Sequence, residues 1–284
     1  MRGAEESLVF AILETNQGQL DVAKRMHEAI SGVTVATSYT IRTHVRESAD
    51  WLNYFRRNAE SLSPIPWEVG AELSTEGKKA IAKSIQAFQL GESSEGRHLQ
   101  RSADVWAKQN GDSYYGEAIR MFIKEEQRHA ADLGRFMDIN GIDPIGKAWT
   151  DTLFRCVRRL AKLELSIMVL LTAEIVAQVY YVALRDSTNS TILRSICEQI
   201  LRDEAEHVRF QCERLAIMAR TYNCARLVAR YGFQRFFMLA TLPIVWASHR
   251  HAYRAGGFSF DRFVSETWLA FSRSVPSMHP KSYE

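Results

Sequence analysis

Two short strings in this 284-residue chain share one pattern: Glu126-Gln127-Arg128-His129 and Glu204-Ala205-Glu206-His207. On a helix, residues three apart share a face about one turn apart, so each string aims a carboxylate and an imidazole the same way. An acid also precedes each string, Glu125 in the first and Asp203 in the second. One Glu-x-x-His is weak, because both residue types are common on solvated helices. Two copies, each about thirty residues after another inward-facing glutamate, are the layout expected of a two-metal site between four helices.

The rest of the chain supports an all-α fold. Only six prolines are present, and they fall between long stretches free of helix breakers. A net charge of +3, with the basic residues dispersed, gives no reason to expect a nucleic-acid partner. Cys156, Cys197, Cys212 and Cys224 form no Cys-x-x-Cys pair, so neither a zinc knuckle nor a disulfide frame is indicated. The run Leu8 to Leu13 follows acids and lacks a cleavage pattern, which argues against a secretory signal. Phe236 to Ala247, read as the longest greasy stretch, is too short to span a bilayer and contains Pro243. A cytoplasmic protein without a membrane span is the expectation.

Apolar periodicity divides the chain into three parts. Residues 1–72 form a helical N-terminal extension, with Ser48 capping a helix over Ala49 to Ala59. Residues 73–221 carry four long helices. The first opens at Ser74 or Thr75, carries Ile81, Ile85, Phe88, Glu92, Glu95, Leu99 and Trp106, and ends at Asn110-Gly111. The second bears Ile119, Phe122, Glu126, His129, Leu133 and Phe136 and stops at Asn140-Gly141. A third begins near Thr150 and carries Leu171, Glu174, Gln178 and Tyr181, and the fourth carries Ile200, Glu204, His207 and Gln211. Residues 222–284 form further helices, broken at Pro243 and at Gly256-Gly257, that pack on the four.

The acids and histidines occupy positions where leucine would be expected. A buried carboxylate costs several kcal/mol unless it is paired or bound to a cation. Too few inward arginines are available, and two divalent ions would meet the need. Glu125 and Asp203 sit one residue before the ligands, where each can reach the other helix's histidine ring. Glu174 lies in the apolar run Leu170-Leu171-Thr172-Ala173-Glu174-Ile175-Val176, which argues against a solvated face. Gly91 and Gly96 bracket Glu92 and Glu95, which suggests close packing or a local π-type distortion of one helix. His98 makes a third Glu-x-x-His with Glu95 and is a candidate extra ligand. His249 and His251 read as surface residues. Tyr180 and Tyr181 read as core aromatics, one of which could hydrogen-bond a ligand.

With these residues in view, the chain resembles the ferritin-like diiron-carboxylate superfamily over about residues 76–218. The resemblance implies Glu126, His129, Glu204 and His207 as the paired ligands and Glu174 as the third-helix glutamate. Phe88-Gln89-Leu90-Gly91-Glu92-Ser93 is similar to the Gly-Glu-Ser stretch of rubrerythrins and favours Glu92 as the first-helix ligand, with Glu95 as a second or exchanging carboxylate. It implies two iron ions, or a manganese–iron pair. Several departures narrow the activity. The long flanking segments fit a storage shell poorly, and no cysteine-rich iron domain is present. Leu133 stands where the ribonucleotide reductase small subunit has its radical tyrosine. The expectation is a diiron oxidase or oxygenase, monomeric or homodimeric. It would use dioxygen and an external electron donor on a small organic substrate. Phe122, Leu171, Ile175, Phe210 and the Phe233 to Trp246 segment would line its pocket. The alternative is a ferroxidase or iron-binding protein without an organic substrate.

Overall fold

A computed structural model describes residues 45–93, 96–146 and 162–283. Among these residues the fold is all-helical, with no strand. The elements are α1 (Ser48–Glu60), α2 (Thr75–Glu92), α3 (Arg97–Asn110), α4 (Tyr115–Ile139), α5 (Leu163–Asp186), α6 (Thr191–Met218), α7 (Cys224–Ala255) and α8 (Phe260–Ser274). Short 3-10 turns lie at Trp67–Val69, Ala219–Thr221, Pro276–Met278 and Pro280–Tyr283.

Local chemistry explains most of these limits. Ser74 caps α2 by accepting from the Gly77 amide at 3.0 Å, and Ser190 caps α6 by accepting from Leu193 N at 3.0 Å. The α5–α6 link is therefore short, and the two helices pack against each other along their length. Asn140 closes α4, with Gly141 beyond it in the left-handed region at φ 61°. The α1 cap is one residue earlier than expected. Glu47 and Asp50 form a capping box, with the Glu47 amide donating to Asp50 Oδ2 at 3.1 Å, and the Ser48 hydroxyl instead donates to Asp112 at 2.6 Å.

Two expectations are overturned. The single first helix over Thr75 to Asn110 is two helices, α2 and α3, and Gly96 stands at the start of the second with φ 60°. A side chain at Gly96 would be strained there, and its Cβ would lie 2.6 Å from Ile123 Cδ1 on α4. The glycine thus serves a turn and a close approach. Pro243, by contrast, breaks nothing, because α7 runs through it to Ala255. The proline is exposed, as is Leu239 one turn back, whose carbonyl loses its amide partner on the solvent side, where water can replace it.

The core lies between α2, α4, α5 and α6, with α1 packed on α4 and α7 packed on α5 and α2. The most apolar element is α5 rather than the α7 stretch. It is long and apolar enough to cross a membrane, but 94% of its most apolar window is buried, which marks a core helix.

Candidate metal centre

Four helices deliver carboxylates or imidazoles to one layer. Glu92 ends α2, Glu126 and His129 lie mid-α4, Glu174 lies mid-α5, and Glu204 and His207 lie mid-α6. Their candidate ligand atoms form two groups, Glu92–Glu126–His129–Glu204 and Glu126–Glu174–Glu204–His207, each with all atoms within 4.8 Å of one another. Glu126 and Glu204 belong to both groups. Each group could hold a metal ion, with one histidine and one private glutamate beside two shared carboxylates.

The histidines point one nitrogen at the cluster and tie back the other. His129 Nε2 lies 3.0 Å from Asp203 Oδ2, and His207 Nε2 lies 2.9 Å from Glu125 Oε2. Both bonds cross between α4 and α6. Burial opposes ionisation of Asp203, but the His129 bond and the His129, Arg128 and His207 charges overcome it and hold the carboxyl well below its usual range. An ionised carboxylate only accepts, so Nε2–H is the donor, and Nδ1 is the nitrogen that would lose any proton it carries and turn its lone pair to a cation. His207 Nδ1 lies 3.2 Å from Glu126 and 3.8 Å from Glu174, while His129 Nδ1 lies 3.8 Å from Glu126 and 3.9 Å from Glu204. Neither Nδ1 has a hydrogen-bond partner, nor do Glu126 Oε1 and both Glu204 oxygens. A cation at this point would satisfy these buried polar atoms together.

Electrostatics agree. Burial, reinforced by Glu126, pushes Glu92 well up, and burial with Glu174 pushes Glu204 well up. Burial and Glu174 also raise Glu126. Burial opposes ionisation of Glu174, but the adjoining Glu204 carboxyl and His207 imidazole outweigh it and lower its carboxyl. Burial works against a charged His207, but its bond to Glu125 and the nearby Glu126 and Glu174 carboxylates outweigh it and raise the imidazole well above its ordinary value. Without a cation, these groups must share protons to coexist.

Glu95 lies outside the described residues, as does the start of the third helix. The break after Glu92 carries His98 away from the cluster, onto the wall of a larger cavity with Trp106 and Tyr114. Glu164 meets Tyr222 at 2.8 Å and lies within 3.7 Å of Arg230. Tyr181 donates to Glu92 Oε1 at 2.6 Å. The expected pocket lining is largely displaced. Phe122 packs edge-on against His207, and Phe55 packs against Phe210, so the aromatics support the histidine side. The cavity beside the site, about 150 Å³, is lined instead by Phe88, Leu170, Ala173, Val176, Ala177 and Val245, together with Glu92, Glu126, Glu174 and Glu204. Only Thr241 and Val245 come from the expected 233–246 segment, because the open face of α5 is the Leu170–Ala173–Ala177 stripe rather than the fully buried Leu171 and Ile175.

Two participants were not anticipated. Asn58 Nδ2 on α1 donates to Glu125 at 2.6 Å and to Asp203 at 2.8 Å, joining the two acids behind the histidines. Its spacing from Trp51 and Phe55 continues their buried stripe, a signal present in the sequence. His249 is buried rather than exposed, with Nδ1 2.8 Å from Ser84 Oγ, whereas His251 is exposed. No protein-family model, curated protein or solved structure matches this chain.

Proposed function

We propose that the chain is a ferritin-like four-helix bundle, formed by α2, α4, α5 and α6, whose buried cluster holds two iron ions. Its activity is that of a non-haem diiron oxidase or oxygenase acting on a small organic substrate. One observation carries the reading: two four-residue ligand groups share Glu126 and Glu204 and have one histidine each. Glu126 and Glu204 would serve both ions, Glu92 and Glu174 one each, and two divalent ions would cancel four carboxylate charges.

The chain's own residues define the chemistry. Glu125 and Asp203 hold both imidazoles with Nδ1 turned inward, and Asn58 couples those acids. The four glutamates, but neither histidine, line the adjoining cavity, so reagents approach from the carboxylate side. Tyr181 restrains one Glu92 oxygen and leaves the other for a ligand. The apolar walls exclude water and supply a place for an organic molecule, which favours the oxidase over a ferroxidase. When bound, an iron pair would reduce dioxygen with electrons from an external donor and direct its oxidising power to the substrate.

The test is iron content of the purified full chain, followed by optical spectra after dioxygen reaches the reduced protein. Two irons per chain and a transient visible band without mineral growth support the proposal. Many irons per chain with slow mineral growth would assign it to iron storage. A protein with no bound metal would remove both readings.

A further inference from the structure

The cavity beside the cluster has a polar spot that the metal chemistry does not use. Apart from the four glutamates, its wall contains two side chains with hydrogen-bonding groups among the described residues, Thr241 and His249, both on α7. Thr241 spends its hydroxyl proton on the Phe237 carbonyl at 2.8 Å, within its own helix. His249 is the better placed of the two. Ser84 on α2 takes its Nδ1 at 2.8 Å, and the same Ser84 hydroxyl is 3.0 Å from Tyr180 OH on α5. Phe88 packs edge-on against the imidazole, with ring centroids 4.9 Å apart. Three helices thus hold the ring in one orientation, and Nε2 is the nitrogen left for a ligand.

Charge and size limit that ligand. Burial lowers the imidazole to about 4, so His249 is neutral near pH 7. Among the described residues, no lysine or arginine lines the cavity. Four carboxylates balanced by two divalent ions leave no net charge to attract an ion. A charged ligand would therefore lose its hydration with nothing to replace it. A volume of about 150 Å³ is that of a cavity that accommodates benzene.

We infer that the cavity takes an uncharged, largely apolar molecule of about benzene's size carrying one hydrogen-bonding group, and that His249 reads that group. This rests on the proposed site lying at the cavity wall, and it names the substrate class. His249 acts here as a specificity-determining residue. It binds the substrate's polar end and keeps the apolar end against Phe88 and Leu170.

The test uses the full chain, metal-free and zinc-loaded, titrated by ligand-observed NMR with benzyl alcohol, toluene, benzoate and benzylammonium. Benzyl alcohol should bind about fivefold more tightly than toluene, the ratio of one net hydrogen bond. Both ionic probes should bind at least about tenfold more weakly than the alcohol to the zinc-loaded chain. His249→Phe should erase the preference for the alcohol and still bind toluene, and His249→Gln should restore it. Ala173→Phe should exclude both neutral probes, which keeps the assignment testable if His249→Phe does not fold. An unchanged alcohol preference in His249→Phe, neutral-probe binding that survives Ala173→Phe, or an ionic probe matching the alcohol overturns the inference. Iron stoichiometry on the same preparations separates the two readings. Two irons without an alcohol preference overturn the pocket assignment alone. An alcohol preference lost in His249→Phe without metal binding supports the pocket and removes the diiron reading.

Discussion

The two halves of the cluster are built from the same ligand types but are held differently. In the first half, His129 is backed by Asp203, which also receives Arg128, Gln199 and Asn58. Its private glutamate, Glu92, is the last residue of α2, fixed by one phenol hydrogen bond. In the second half, His207 is backed by Glu125, which receives Asn58. Its private glutamate, Glu174, sits in the middle of the continuous and buried α5. One half therefore has a strongly anchored imidazole and a carboxylate at a helix end. The other has a lightly backed imidazole and a carboxylate locked in a core helix. The difference teaches that ligand freedom is set by the supporting element, and it places any carboxylate movement at Glu92.

Removing what the halves share should have the largest effect. Glu204→Ala or Glu126→Ala should abolish binding of both ions, measured as metal per chain; two retained ions in both variants would sink the site assignment. Next come the backing acids. Asp203→Ala should weaken metal binding by about 10–100-fold, because it frees His129 and strands the Arg128 cation. Glu125→Ala should cost less, and calorimetric titration that ranks them the other way breaks the comparison.

The protonation pattern sets a third, intermediate effect. Glu204 has a carboxyl raised from 4.5, so the stability it contributes is fully present below that value and is lost as pH rises towards its folded value. His207, raised from 6.5, behaves with the same sign in a higher window. The metal-free protein should thus lose thermal stability between about pH 5 and 8, and bound metal should flatten the slope. A metal-free melting temperature that rises over this range would contradict the charge balance described above. The smallest effect is expected from Tyr181→Phe, which removes the phenol hydrogen bond on Glu92. A loss of about 1 kcal/mol, confined to one of two binding steps, is expected; equal loss in both steps would show that the halves are not separable.

The histidine side of the site was legible in the sequence because its geometry is local. The Glu-x-x-His spacing places both candidate ligands on one helix face, and the preceding acids reach across to the facing helix. Glu174 was legible because an acid within a wholly apolar run has few alternatives. Other features were not legible. Gly96 reads equally well inside a helix or at its start, and its positive φ and contact with Ile123 come from how α3 meets α4. His249 lies between Ser248 and Arg250, and although it continues the stripe of Leu242, Val245 and Ala252, the helix break expected at Pro243 hides that periodicity. Asn58 carried a faint signal, but its two partners lie on other helices.

By itself, the sequence determined that this chain is helical and that carboxylates and imidazoles share one inward layer, because helical periodicity and the cost of burying charge act at short range. Tertiary structure alone decided which glutamates are shared, where the first long helix breaks, and which face of α5 opens to the cavity. It also placed His249 against Ser84. Those outcomes depend on the relative phase of separate helices, which packing between them sets and no local spacing encodes.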